Sequence, residues 1–406
     1  LLCSAAASAC AAGSSWGQAA ALLLAMAAAS LEPSVTTCSP AILGRGRSWS
    51  AVLEGLAALQ RAAAAPDVLL CSAVLGACGT SGRWDLGASL LAAMLSTSLE
   101  PNAVTCCNAL TAAERGCQWR WAVDLAVAVR EGGLQASSFA CSALLSALEK
   151  AERWQAGLLV LADSCRAGLE PNVVVLNTAI SATAGGSDWR GACSFLPEMM
   201  ASSVVPDTIS FNGAISACER GLRWRQALGL LRLLPRRGVL PDVVTYSAAI
   251  SACEKGNQLH RALDVLEEMR AARVAPNAIS YGAAISAAEK AGHWEWALEL
   301  LRGAWAQKIT PDAISYNAAL SACLRGQQWE RTLILLEEMP KARAKPDKIT
   351  YSMAIGACGQ GSQWRHASAL MLEAGRARVR FDILACSSAI SAFGNGQQWE
   401  QSLRCL

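Results

Sequence analysis

The side chains in this chain that could do chemistry recur at a fixed 35-residue spacing. Seventeen cysteines are the first group, and thiols in such number suggest metal ligands, disulfides or a nucleophile. Their register argues otherwise. Cys3, Cys38, Cys71, Cys106, Cys141 and Cys386 share one position, filled elsewhere by Phe211, Tyr246, Tyr281, Tyr316 and Tyr351. Cys10, Cys78, Cys218, Cys253, Cys323 and Cys358 share another, with Ala113, Leu148 and Ala288. A thiol that alternates with apolar residues acts as a small buried hydrophobe. No C-x-x-C occurs, so a structural core is expected, with no metal, in a reducing or thiol-tolerant compartment. The three histidines, His260, His293 and His366, open second helices. His293-Trp294-Glu295 matches the H-x-E fragment of zinc deaminases, but the companion P-C-x-x-C is missing. No phosphate loop, nucleophile elbow or paired-carboxylate site stands out. The residues therefore predict no enzyme and no cofactor.

Binding chemistry is a different matter. One position is repeatedly cationic: Arg115, Lys150, Arg220, Lys255, Lys290 and Arg325, usually after an acid such as Glu114, Glu149, Glu219, Glu254 or Glu289. A cation at a helix C-terminus complements the macrodipole. One cation per repeat along a solenoid edge would also track a chain of phosphates. A second position holds small, mostly polar residues: Ser72, Cys107, Ser142, Asn177, Asn212, Ser247, Gly282, Asn317, Ser352 and Ser387. Ser and Asn are poor formers of a helix interior, so their recurrence inside an apolar segment calls for a task. A third position closes each repeat with Asp or Asn after a proline: Asp67, Asn102, Asn172, Asp207, Asp242, Asn277, Asp312, Asp347, and Asp382 after Phe381. Such residues cap helix N-termini. A fourth, aliphatic column runs through Val104, Val174, Ile209, Val244, Ile279, Ile314 and Ile349, suited to packing between repeats or to presenting an apolar surface.

The elements that position these columns follow from a tryptophan lattice. Trp49, Trp84, Trp119, Trp154, Trp189, Trp224, Trp294, Trp329, Trp364 and Trp399 keep the 35-residue phase, with Leu259 filling the one gap and Trp16 lying two residues out of phase. Each repeat reads as two helices. In Ala313 to Asp347, Tyr316, Leu320 and Cys323 form one apolar stripe, Gly326 breaks the helix, and a second helix from Trp329 carries Leu333, Leu336 and Met339. One hairpin cannot bury both faces, so neighbours must stack into a solenoid with a long concave surface. The expected organisation is a partial repeat over 1–34, a short variant over 35–67, nine complete repeats over 68–382 and a truncated repeat over 383–406. The chain starts and stops inside repeats, which reads as a piece of a longer protein whose targeting segment is not in view.

Bulk properties agree. The sequence has 406 residues, too many for one ordinary core, and 53% of them are hydrophobic. The balance of 35 basic against 32 acidic residues gives a net charge of +3, so any polyanion must be met by local rather than global charge. The longest uncharged apolar run, Ala19 to Ala29, is too short to span a membrane.

The stretches VVTYSAAISACEKG (Val243 to Gly256) and AISYNAALSACLRG (Ala313 to Gly326), followed by an A-L-x-L-L-x-E-M type helix and a terminal P-D, resemble the pentatricopeptide repeat family along essentially the whole chain. The resemblance implies an all-α, right-handed superhelical solenoid of 35-residue helix-turn-helix repeats. It implies that single-stranded RNA binds at one nucleotide per repeat. The fifth and closing residues would meet the base edge, the second residue the base face, and the cation a phosphate. In this family Asn with Asp favours U, Ser with Asn favours A, and Ser with Asp favours G. Ser39–Asp67 then implies G, and Ser72–Asn102 and Ser142–Asn172 imply A. Asn177–Asp207 and Asn212–Asp242 imply U, Ser247–Asn277 A, Asn317–Asp347 U, and Ser352–Asp382 G. Cys107–Ser137 and Gly282–Asp312 carry no assignment. From the N-terminus the implied RNA is G-A-?-A-U-U-A-?-U-G. The resemblance also implies a monomer in a chloroplast or mitochondrion, acting in RNA processing, stability or translation. A protein-binding scaffold, or an RNA-modifying enzyme whose catalytic domain lies elsewhere, are the competing readings.

Overall fold

The computed structural model describes residues 68–96, 99, 101–131, 137–376 and 383–395. Among these residues every regular element is an α-helix, from Val68–Ser81 to Ile383–Asn395. The helices alternate as hairpins. First helices include Ala103–Arg115, Val243–Lys255 and Ala313–Arg325; their partners include Trp119–Glu131, Leu259–Ala271 and Trp329–Lys341. The chain divides into two compact units, 1–186 with 197–205, and 187–196 with 206–406. Within each unit a first helix packs on its own second helix and on the first helix of the next hairpin.

Local chemistry explains the alternation. The closing Asp or Asn sits in extended conformation and accepts from the backbone N–H three residues on, as Asn102 does from Thr105 and Asp312 from Ser315. At Asn102, Asp207, Asp242 and Asp347 the third helical residue returns the bond, completing a capping box. First helices end where a residue turns left-handed, among them Cys117, Leu222, Asn257 and Gln327. Second helices end the same way at Gly168, Ser203, Gly238, Arg273, Lys308 and Arg343. Both turns thus repeat with the sequence period.

The core lies between helices of one hairpin and the next. Phe211, Tyr246, Tyr281, Tyr316 and Tyr351 are buried at the position where Cys71, Cys106 and Cys141 also stand. A buried tyrosine must satisfy its hydroxyl. Arg270 Nη2 donates to Tyr281 Oη at 2.6 Å, and Trp305 Nε1 to Tyr316 Oη at 3.0 Å. Cysteine makes no such demand, so the two types exchange freely. Burial pushes the Cys78, Cys253, Cys323 and Cys358 thiols up to about 11. Cys117 and Cys165 are exposed, outside the core pattern. In the second helix from Trp329, Leu335 is buried with Leu336 and Met339, whereas Leu333 is only half-buried. The lattice tryptophans among the described residues, Trp84 to Trp364, are also half-buried, less enclosed than anchors in a closed core.

Candidate nucleic-acid interface

The closing residue of one repeat caps the next first helix, and this places it beside the fifth residue of its own repeat. Asn212 Nδ2 donates to Asp242 Oδ1 at 3.2 Å, and Asn317 Nδ2 to Asp347 Oδ1 at 3.4 Å. Ser247 Oγ lies 3.4 Å from Asn277 Oδ1, and Cys107 Sγ 3.2 Å from Ser137 Oγ. These pairs are 30 residues apart in sequence and adjacent in space. The closing residues therefore cap a helix and contact the fifth position at once. Partial burial alone would raise the Asp242 and Asp347 carboxyls. Hydrogen bonds from the following Thr245 or Thr350, by backbone and hydroxyl, and from the Asn amide outweigh it and hold both below the usual carboxylate value.

Other members of the two columns are placed differently. Ser142 Oγ donates to the Phe139 carbonyl and Ser352 Oγ to the Lys348 carbonyl, both in their own helices. Asn172 caps its helix at Val175. Ser72 is buried. Asn177 and Asp207 belong to different units. Ser39, Asp67 and Asp382 lie outside the described residues, as do Trp49 and Trp399.

The aliphatic column faces solvent. Val104, Val174, Ile209, Val244, Ile279, Ile314 and Ile349 are between 57% and 74% exposed. A residue buried between repeats would not be so open, so packing between repeats does not explain this column. Large apolar side chains repeated on a surface mark a binding face. Phe139 holds the same register and is exposed as well. Its ring sets it apart from the aliphatic residues of the column, although its spacing of 35 from Val104 and Val174 places it there.

The cationic column is not a free row of charges. Lys150 Nζ lies 3.1 Å from Glu114, Lys255 3.0 Å from Glu219, and Lys290 3.0 Å from Glu254. Each acid belongs to the preceding repeat. Arg115 Nη1 donates to the Thr80 carbonyl at 2.7 Å, and Arg325 Nη1 reaches the Glu289 carbonyl at 3.4 Å. Arg220 is exposed at the same helix end. Acids at this position also accept from serines of the next first helix: Ser146 bonds Glu114 and Ser181 bonds Glu149, each at 2.7 Å. Beyond the local macrodipole, these cations tie one hairpin to the next. No cluster of metal-ligating side chains occurs among the described residues, and no described helix is long and apolar enough to cross a membrane.

Comparison with known proteins places this arrangement. Residues 229–290 match the family model described as pentatricopeptide repeat domain, and residues 311–360 that of the PPR repeat family. No curated protein sequence matches the chain. Among solved structures, the pentatricopeptide repeat protein PPR10 in complex with an 18-nt psaJ RNA element is similar at 17% identity, with a TM-score of 0.56 over 97% of this chain. A second PPR10 structure with that RNA element gives the same values. PPR10 from maize without a named RNA has a TM-score of 0.43 at 17% identity, covering 99% of this chain and 72% of the other. The chain spans 64% of the length of the RNA-complexed PPR10 chains. The likeness shows the fold, an all-helical solenoid of stacked hairpins. By its repeat period, its hairpins and its two family matches, the chain carries pentatricopeptide repeats within residues 229–290 and 311–360.

Proposed function

We propose that this chain binds single-stranded RNA, with one nucleotide facing each repeat, and thereby supports RNA processing, stability or translation in an organelle. The observation that carries the reading is the pairing of fifth and closing side chains, as at Asn212–Asp242, beside solvent-exposed aliphatic residues such as Ile209 and Val244. The pair offers hydrogen-bond donors and acceptors at one place, which suits a base edge; the exposed aliphatic suits a base face. PPR10, solved with an RNA element, has the same fold. On this reading the repeats of 68–382 are the binding array. Val104, Val174, Ile209, Val244, Ile279, Ile314 and Ile349 stack on bases. The cations Arg115, Lys150, Arg220, Lys255, Lys290 and Arg325 lie near phosphates, three of them sharing their charge with a glutamate.

A selection of this chain against random single-stranded RNA tests the reading. The expected result is enrichment of sequences containing A-U-U-A, the string implied by the pairs from Ser142–Asn172 to Ser247–Asn277. Recovery of RNA with no shared motif, or no recovery above a bead control, would contradict it and favour a protein-binding scaffold.

A further inference from the structure

The third residue of most first helices carries a hydroxyl: Thr105, Ser210, Thr245, Ser280, Ser315 and Thr350, all buried. Capping explains one of its contacts, the bond with the closing residue. In three repeats the hydroxyl goes further. Thr245 Oγ1 lies 2.6 Å from Asn212 Oδ1 as well as 2.8 Å from Asp242 Oδ1. Thr350 Oγ1 lies 2.7 Å from Asn317 Oδ1 and 2.8 Å from Asp347 Oδ1. Ser280 Oγ lies 2.8 Å from Ser247 Oγ and 2.9 Å from Asn277 Oδ1. One buried hydroxyl from the next hairpin thus joins the fifth and closing residues. Val175 offers no hydroxyl to Ser142, which bonds the carbonyl of Phe139 in its own helix; Ser247 bonds its own Val243 carbonyl at 2.7 Å as well as Ser280.

Two contacts together settle which way the asparagine amide points. The oxygen and nitrogen ends of an amide have nearly the same shape, and a half-turn exchanges acceptor for donor. The Thr245 hydroxyl has one proton, shared between Asn212 Oδ1 and Asp242 Oδ1, and that sharing favours the amide oxygen on the Thr245 side. The Asp242 carboxylate only accepts, so it turns Nδ2 the other way. The hydroxyl contact is the shorter of the two and the more deeply buried. Uracil and cytosine differ at one edge in this same sense: uracil O4 accepts where cytosine N4 donates. An amide held one way distinguishes them; an amide free to turn satisfies both.

We infer that Thr245 and Thr350 are positioning residues, whose buried hydroxyls lock the Asn212 and Asn317 amides in one orientation and so set discrimination of U from C at the facing nucleotides. The inference rests on the base-reading role proposed above. Neither threonine touches the RNA; each acts through the amide it holds.

The test compares affinities for the decamer G-A-A-A-U-U-A-A-U-G with U or C at its sixth base, facing Asn212. Wild type should prefer U. Thr245→Val keeps the side-chain shape and should lower the U-to-C ratio about fivefold, the size of one neutral hydrogen bond. Thr245→Ser should restore the ratio. Thr350→Val should do the same at the ninth base only, an independent site that serves if Thr245→Val unfolds. A purely structural role for the hydroxyl would weaken both RNAs equally and leave the ratio unchanged, and that result overturns the inference. Wild type ranking U and C equally, or failing to bind the decamer, would instead overturn the base reading beneath it.

Discussion

Gly361 has a negative φ of −78° with ψ 5°, open to any residue, so it is not there for conformational freedom. It is there for space. A Cβ at this position would lie 2.5 Å from Trp329 Cδ1 and 2.7 Å from Cγ. Gly116 under Trp84 and Gly221 under Trp189 are equally close, at 2.5 Å and 2.8 Å. Six lattice tryptophans, Trp84, Trp154, Trp189, Trp224, Trp294 and Trp329, thus cover the end of the first helix in the next hairpin, 32 residues later, where glycine admits the ring; opposite Trp119 the residue is Ala151. Where Leu259 replaces tryptophan, the glycine is replaced by Ala291, and the helix runs on to Gly292 in the left-handed region at φ 75°. Gly361→Ala should therefore destabilise by about 1–3 kcal/mol, the usual cost of overpacking. Adding Trp329→Leu, which copies the natural Leu259–Ala291 combination, should recover part of that loss. Chemical denaturation of the two variants checks this; equal midpoints for Gly361→Ala and wild type would remove the ring-over-glycine account.

At the scale of elements, the contacts that set the stacking are ionic as well as apolar. Glu114, Glu219 and Glu254 each hold a lysine of the following first helix, and Glu114 and Glu149 also accept from its serines. These pairs are partly exposed, so each stabilises by less than about 1 kcal/mol. Their larger effect is on charge. A lysine neutralised by glutamate attracts phosphate less than a free one. Glu254→Gln should leave Lys290 with its full field and steepen the slope of log affinity against log salt by up to about 0.7. A salt titration of RNA binding reads this directly. An unchanged or flatter slope would remove the cationic column from the phosphate contacts and leave it a purely structural tie.

Over the whole chain, the period made the fold legible. Tryptophan, proline and the closing Asp or Asn recur at one spacing, and a hairpin with two apolar faces has to stack. The exchange of Cys with Tyr at one position likewise pointed to a core, and the buried Cys106, Cys141, Tyr281 and Tyr316 occupy it. What spacing could not convey was how one hairpin turns relative to the next. That rotation brings Lys290 to Glu254 and Thr245 to Asn212, so ties read as local caps proved to cross repeats. It also decides exposure: the same Ile279 suits a packed seam or an open surface until the stacking is known. Phe139 was missed for a simpler reason, its aromatic ring in an otherwise aliphatic column.

In a repeat array each unit touches chiefly its neighbours, so a change in one repeat should alter one contact and spare the rest. The central claim is that the fifth and closing residues read a base, and Asn212→Ser tests it most directly. Ser247 and Ser352 already occupy this position, so the fold should tolerate the change. Asp242 stays, and the pair becomes Ser with Asp. Affinity should be measured for the decamer G-A-A-A-U-U-A-A-U-G with U or G at its sixth base. Wild type should favour U and the variant G, a swing of about 1–3 kcal/mol if a good base-edge contact in duplex DNA is the guide. Identical ranking of the two RNAs by both proteins would contradict the account.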